Sequence, residues 1–161
     1  MAELAALLDE LGTRTGLGNI AFDKDGLCLL RFDDSHDVAL TYDREAEALY
    51  LSGPAGSLGP DVRAAALLRL LSYSCLGANT GGAALGLPED GDILVLWKRH
   101  DAGAFVDYTA FEAAINGFLG HLADLEERLP ELLRSAGGPS PRRPSGPSGG
   151  QAGFVGAGMR M

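Results

Sequence analysis

The chain has 161 residues and a formal net charge of −9, because 22 acidic residues stand against 13 basic ones. Hydrophobic residues make up 46% of the chain and charged residues 22%, which is typical of an ordinary globular domain. An acidic chain without a basic stripe argues against nucleic acid as a partner, and no apolar run reaches the ~18–20 residues that cross a bilayer.

The charge is unevenly distributed. Residues 136–161 contain no acid, three arginines, and 8 Gly, 4 Pro and 3 Ser, so residues 1–135 hold all 22 acids against 10 bases. This contrast predicts one folded domain over residues 1–135 and a disordered Gly/Pro/Ser-rich tail over residues 136–161. The N-terminus lacks the positive region of a signal peptide, and two cysteines make no disulfide framework, so we expect a cytoplasmic protein without membrane insertion.

The first half of the chain predicts one helix followed by short strands. Residues 2–15 carry leucines at helical spacing, namely Leu4, Leu7, Leu8 and Leu11. Period-two patterns between turn residues then predict three strands, over 27–32, 38–42 and 48–52. Short turns between them, including the acidic turn 33–37, favour antiparallel pairing.

The second half begins with a Gly/Pro-rich loop over 53–60 and a helix that Asp61 caps and that runs to about Cys75. This helix is apolar nearly all round, which indicates burial on more than one side, either against a twofold partner or under the tail or third helix. Strands over 83–87 and 93–99 follow, and then a helix over 107–129 that Pro130 should end or kink.

These elements predict an α+β fold with the order α-β-β-β-α-β-β-α, in which three helices pack on a twisted antiparallel sheet. The strand over 27–32 is apolar on both sides, with Leu27, Leu29 and Arg31 on the side opposite Cys28 and Leu30. Three helices cannot cover both faces, so we expect some apolar surface to remain for a partner.

Several motifs resemble cofactor sites, but their context does not fit. Residues 16–21 match GxGxxA, yet a helix precedes them and a strand follows, the reverse of a dinucleotide-binding turn. The glycine-rich residues 77–82 lack the lysine of a phosphate-binding loop. Asp23-Lys24-Asp25-Gly26 lacks the later ligands of a calcium loop. We therefore expect no cofactor.

The acidic turn around residue 35 leaves one enzymatic hypothesis open. Asp33, Asp34, His36 and Asp37 could hold a divalent metal, although a solvated acidic turn is the simpler interpretation. The three histidines are scattered, and Cys28 and Cys75 have no neighbouring base in the sequence. The residues therefore favour a protein that is not an enzyme.

The order of elements and the local sequence resemble the type III secretion chaperones of the Tir-chaperone (CesT/SycE-like) family. The resemblance spans about residues 3–133. The features that carry it are the Leu4–Leu11 helix leading into Gly16-Leu17, the segment 22–34, the helix 67–77, Gly81-Gly82-Ala83-Ala84-Leu85, the strand 93–98, and Phe111-Glu112.

The resemblance implies a small, acidic, cytoplasmic bacterial homodimer. Such a chaperone binds the N-terminal region of a secreted effector or translocator in extended form and keeps it competent for secretion, with the secretion ATPase as a further partner. The resemblance also implies site residues. Cargo would contact Leu4, Leu7, Leu8, Leu11, Leu27, Leu29 and Arg31, and the dimer interface would contain Val62, Leu67, Leu68, Leu71 and Tyr73.

One alternative function stays open at this stage. A related dimeric regulatory protein could sequester a transcriptional regulator of the secretion system instead of a secreted cargo. Both functions would use the same apolar surfaces, so the sequence does not separate them.

Overall fold

The computed structural model describes residues 2–33, 35–59, 62, 64–89 and 91–134. Its helices and strands, in chain order, are α1 (Ala2–Thr15), β1 (Leu27–Phe32), β2 (His36–Asp43), β3 (Ala48–Ser57), α2 (Ala64–Tyr73), β4 (Ala84–Gly86), β5 (Ile93–Asp101) and α3 (Tyr108–Leu133). This is the predicted α+β order. The predicted cap Asp61 and the tail over 136–161 lie outside the described residues.

The five strands form one antiparallel sheet in the order β1-β2-β3-β5-β4. Strand β5 pairs with β3 over the full length of both strands, and the short β4 pairs only with β5. Helix α2 lies in the connection from β3 to β4, at the β4 side of the sheet. Strands β1 and β4 are therefore the two edges of the sheet.

One face of the sheet forms the core with α1 and α3. Alternate strand residues point into it, including Leu30, Leu40, Leu51 and Leu96. The apolar seam of α3 is buried there as well: Phe111, Ile115, Phe118, Leu122, Leu125 and Leu129. The Asp107 carboxylate accepts a hydrogen bond from Ala110 N at 2.8 Å and caps the start of α3. The predicted third helix therefore packs against the sheet.

The predicted loop over 53–60 is wrong for residues 53–57, because β3 continues to Ser57 with a bulge between Pro54 and Gly56. Helix α3 crosses this part of β3 so closely that a side chain in place of either glycine would press on a leucine of α3. A Cβ atom at Gly53 would lie 2.8 Å from Leu122 Cδ2, and one at Gly56 would overlap Leu129. Here glycine marks a close approach between helix and strand rather than a loop.

Among the other boundaries that differ from the prediction, two concern the acidic turn and the end of α3. Strand β2 begins at His36, so His36 and Asp37 belong to the strand and not to the acidic turn. Helix α3 does not end at Pro130 but continues to Leu133. Pro130 lies in the last turn, where a missing N–H removes only one helical hydrogen bond.

Candidate partner-binding surfaces

The second face of the sheet carries no helix among the described residues. Its centre is a groove of about 590 Å³, which we call the open groove; its outward-facing residues are Leu29, Arg31, Asp37, Ala39, Ser52, Pro54 and Val95. Leu29 is 72% exposed although it lies in the middle of a strand. An exposed leucine above an apolar floor is typical of a surface that binds a partner.

Arg31 and Asp37 form the polar wall of the open groove. They lie opposite each other in the β1–β2 register, and the Arg31 guanidinium donates two hydrogen bonds to the Asp37 carboxylate, at 2.6 and 2.9 Å. The hydrogen bond from Arg31 holds the pKa of Asp37 below its ordinary value. Because both side chains are exposed, this pair adds little to stability and remains available to polar groups of a partner.

An aromatic pair continues the same face towards the other edge of the sheet. Tyr50 on β3 and Trp97 on β5 have ring centroids 6.2 Å apart, and Trp97 is 39% exposed. Partly exposed aromatic side chains on a rigid sheet are frequent anchors of protein interfaces. Neither aromatic residue is among the site residues that the sequence predicts.

Strand β1 has one unpaired edge. Among the described residues it pairs with β2 alone, over its whole length from Leu27 to Phe32. An extended peptide can add to such an edge through main-chain hydrogen bonds, and its side chains can then enter the neighbouring groove. Of the cargo residues predicted on this strand, Leu27 is half-buried, and Leu29 and Arg31 are exposed beside the groove.

The four cargo residues predicted on α1 are placed differently. Leu4, Leu8 and Leu11 are 3% exposed or less and belong to the core, while Leu7 is half-buried. The apolar stripe of α1 therefore packs against this protein's own body. A role of α1 in cargo binding stays a prediction, and Leu7 is the member of this set with free surface.

Helix α2 presents a second apolar surface. Only Ala66 and Leu70 of this helix are buried, and Leu67, Leu68 and Leu71 are 41%, 63% and 67% exposed. We call these three side chains the α2 surface. The other two predicted interface residues, Val62 and Tyr73, are partly buried and pack against the core.

A narrow apolar groove runs between α2 and β4. Its floor is formed by the buried Leu58, Leu70 and Leu94, and its rim by the exposed Leu67, Leu71 and Leu87. We call it the α2–β4 groove. Leu76, in the turn that follows α2, is 99% exposed next to this region. Sequence reasoning missed the groove because its two walls come from segments about 15 residues apart.

Two residues of the metal hypothesis, His36 and Asp37, contact other side chains. His36 Nε2 lies 3.1 Å from Glu126 Oε2 on α3, and Asp37 is bound by Arg31. Asp34 lies outside the described residues. Within the described residues, no three His, Cys, Asp or Glu side chains converge as a metal site would require.

The half-buried His100 and the buried Cys28 have shifted pKa values. Burial, with the nearby Lys98 charge, lowers the pKa of His100, whose Nε2 atom has no hydrogen-bond partner. Burial also raises the pKa of the Cys28 thiol, which makes it a poor nucleophile. Cys28 therefore behaves as a core residue.

No helix of the described residues combines the length and the apolar content needed to cross a bilayer. The candidate partner-binding surfaces of the described residues are the open groove with the β1 edge, and the α2 surface with the α2–β4 groove.

The sequence and the fold were compared with known proteins. The family model for the Tir chaperone protein (CesT) family matches residues 6–126. No curated protein sequence matches the chain.

Similar folds occur in solved complexes of secretion chaperones. A chain of the ExsC–ExsE complex has a TM-score of 0.67 and 25% identity, over 80% of this chain and 94% of that one. A chain of the HopA1–SchA chaperone–effector complex has a TM-score of 0.61 and 21% identity, over 79% of this chain and 97% of that one. The Yersinia pestis type III secretion chaperone SycH, solved with a fragment of YscM2, has a TM-score of 0.57 and 21% identity, over 75% of this chain and 98% of that one.

Proposed function

This chain belongs to the Tir chaperone protein (CesT) family, and on that basis we propose that it is a cytoplasmic type III secretion chaperone. It binds the N-terminal region of a secreted effector or translocator in extended form and keeps that region competent for secretion. The solved chaperone–effector complex with a similar fold supports an effector as the class of partner.

The observation that carries this proposal is the exposed Leu29 on an edge strand beside an uncovered apolar groove. A client strand that pairs with β1 places alternate side chains over the open groove. Arg31 can donate hydrogen bonds to the client's polar groups, and Asp37 can accept them. This mode of binding suits an extended client, whose backbone N–H and C=O groups are free to pair with the β1 edge.

The α2 surface supports a homodimer. Three leucines of one short helix are between 41% and 67% exposed, which is costly for a monomer in water. A twofold axis beside α2 would bring the same side chains of two copies together. Contact with the secretion ATPase stays a prediction, since no described residue is specific for it.

The test begins with the tagged full-length chain purified from its native bacterium and mass spectrometry of what it retains. The N-terminal fragment of the retained protein is then titrated into three chains by calorimetry: the unmodified chain, Leu29→Asp, and the control Leu17→Asp. Leu17 is an exposed leucine in the α1–β1 connection, away from the groove. We expect Leu29→Asp to weaken binding by about tenfold or more, and Leu17→Asp to leave it unchanged.

Each other outcome has a defined meaning. Retention of no secreted protein, or binding only to the folded remainder of the client, contradicts the proposal. Retention of a transcriptional regulator in place of a secreted protein supports the alternative of a dimeric regulatory protein. Equal affinities of Leu29→Asp and the control would show that the open groove is not the binding site.

A further inference from the structure

The structure fixes where the chain leaves the folded body. Arg69, on α2, donates hydrogen bonds from Nη1 to the carbonyl oxygens of Leu132, at 3.4 Å, and of Arg134. Leu132 is the second-last residue of α3 and Arg134 is the residue that follows the helix, so α2 holds the end of α3. The remaining 27 residues, 135–161, therefore start beside α2.

The composition of those residues complements the surface near α2. They contain Arg142, Arg143 and Arg160 and no acid, and their apolar side chains are concentrated late, with Phe154 and Val155 adjacent. The β4–β5 connection, which starts at the rim residue Leu87, carries the exposed acids Glu89 and Asp92. A basic tail with an apolar pair is therefore complementary in charge and polarity to an apolar groove that acidic residues follow in the chain.

The tail is long enough to reach this groove. Arg69 and the groove lie on opposite flanks of α2, so the tail has to pass around a helix about 10–12 Å in diameter. Nineteen residues separate Arg134 from Phe154, and a Gly/Ser-rich chain of that length has a root-mean-square span of about 25 Å. A groove within this distance experiences a high effective concentration of the tail.

We propose that the C-terminal segment 151–161 docks through Phe154 and Val155 into the α2–β4 groove of its own chain and competes there with a second copy. The tail would then be an intramolecular competitor of dimerisation, and its release would make the α2 surface available. The competition rests on the proposed homodimer, whereas the contact between tail and groove does not.

The test uses the full-length chain throughout. The apolar pair is removed by Phe154→Ser with Val155→Ser, and Ala157→Ser in the same tail is the matched control. Both variants are also made in a Leu68→Asp background, in which we expect the chain to be a monomer. Leu68 lies on the α2 surface but does not line the groove, so this substitution leaves the groove intact. Hydrogen exchange of α2 and β4 is measured by mass spectrometry in that background, and the dimer dissociation constant is measured by sedimentation in the unmodified one.

We expect the double substitution to speed exchange in α2 and β4, and the control to leave it unchanged. A dimer forms only from two copies whose grooves are both uncovered. If the tail covers the groove in about two-thirds of the molecules, each copy is uncovered about one-third of the time, and both copies of a pair are uncovered about one-tenth of the time. The double substitution should then lower the dissociation constant about tenfold.

The outcomes separate the proposals. Unchanged exchange in α2 and β4 overturns the tail contact. Protection that appears only after addition of the client's N-terminal fragment assigns the groove to the client and also overturns it. A Leu68→Asp chain that stays dimeric contradicts the proposed dimer interface, and the exchange comparison still decides the tail contact.

Discussion

Leu71→Asp is the most direct test of the proposed dimer. Leu71 is 67% exposed on the α2 surface, and its backbone lies within a regular helix, so a polar residue fits the folded monomer without strain. In a twofold dimer built on α2, the substitution places two carboxylates in one apolar interface. We therefore expect a folded monomer.

The size of the effect follows from the exposed fraction. Full burial of a leucine side chain is worth roughly 1.5–3 kcal/mol, so covering the two-thirds that is exposed contributes about 1–2 kcal/mol per copy. Two copies lose about 2–4 kcal/mol, and two unpaired carboxylates at the interface add to that loss. The total of about 4 kcal/mol or more corresponds to roughly a thousandfold weaker dimer.

Sedimentation equilibrium over a concentration series measures this constant, and circular dichroism verifies that the variant is folded. Leu17→Asp is the control, since Leu17 is 46% exposed but lies between α1 and β1. An unchanged dissociation constant for Leu71→Asp would refute the reasoning. A Leu17→Asp control with an equally weakened dimer would also refute the reasoning, because the dimer would then depend on the net charge of the chain and not on α2.

Three further substitutions test the fold. Gly56→Ala should lower the free energy of unfolding by about 2–4 kcal/mol, because Gly56 has a φ of 140° and an added Cβ overlaps Leu129. Asp107→Ala should cost about 1 kcal/mol, because it removes the cap of α3. Desolvation of the half-buried His100 lowers its pKa, so this ring binds a proton first in the unfolded chain as the pH falls through about 6.5. Stability should therefore fall from pH 7 to pH 5 by more in the unmodified chain than in His100→Asn.

Chemical denaturation measures all three. For the glycine, Gly117→Ala is the matched control, because nothing surrounds that α3 position, and alanine there should stabilise the helix by roughly 0.5–1 kcal/mol. Equal effects at both glycines would contradict the close approach of α3 to β3. Asp107→Asn keeps a capping side chain and should retain most of the stability. If the free energy of unfolding depends on pH in the same way in the unmodified chain and in His100→Asn, protonation of His100 does not contribute to the loss of stability.

The candidate site could be predicted only in part. The alternation of β1 placed Leu29 and Arg31 on the face opposite the core, and the structure has them there beside the open groove. Helical spacing identified the apolar stripe of α1, yet it could not say whether the stripe faces a partner or this protein's own body. Three of its leucines are core residues. Trp97 and Tyr50 were missed because they become neighbours only when β3 and β5 pair.

The sequence by itself determined the type and order of the elements, because hydrophobic periodicity and capping residues act over a few neighbouring positions. It also carried the family resemblance. The tertiary structure decided what depends on distant segments: the strand order β1-β2-β3-β5-β4, the extension of β3 through Gly53 and Gly56 under α3, and the groove between α2 and β4. These features arise from packing between residues far apart in the chain, which no local pattern encodes.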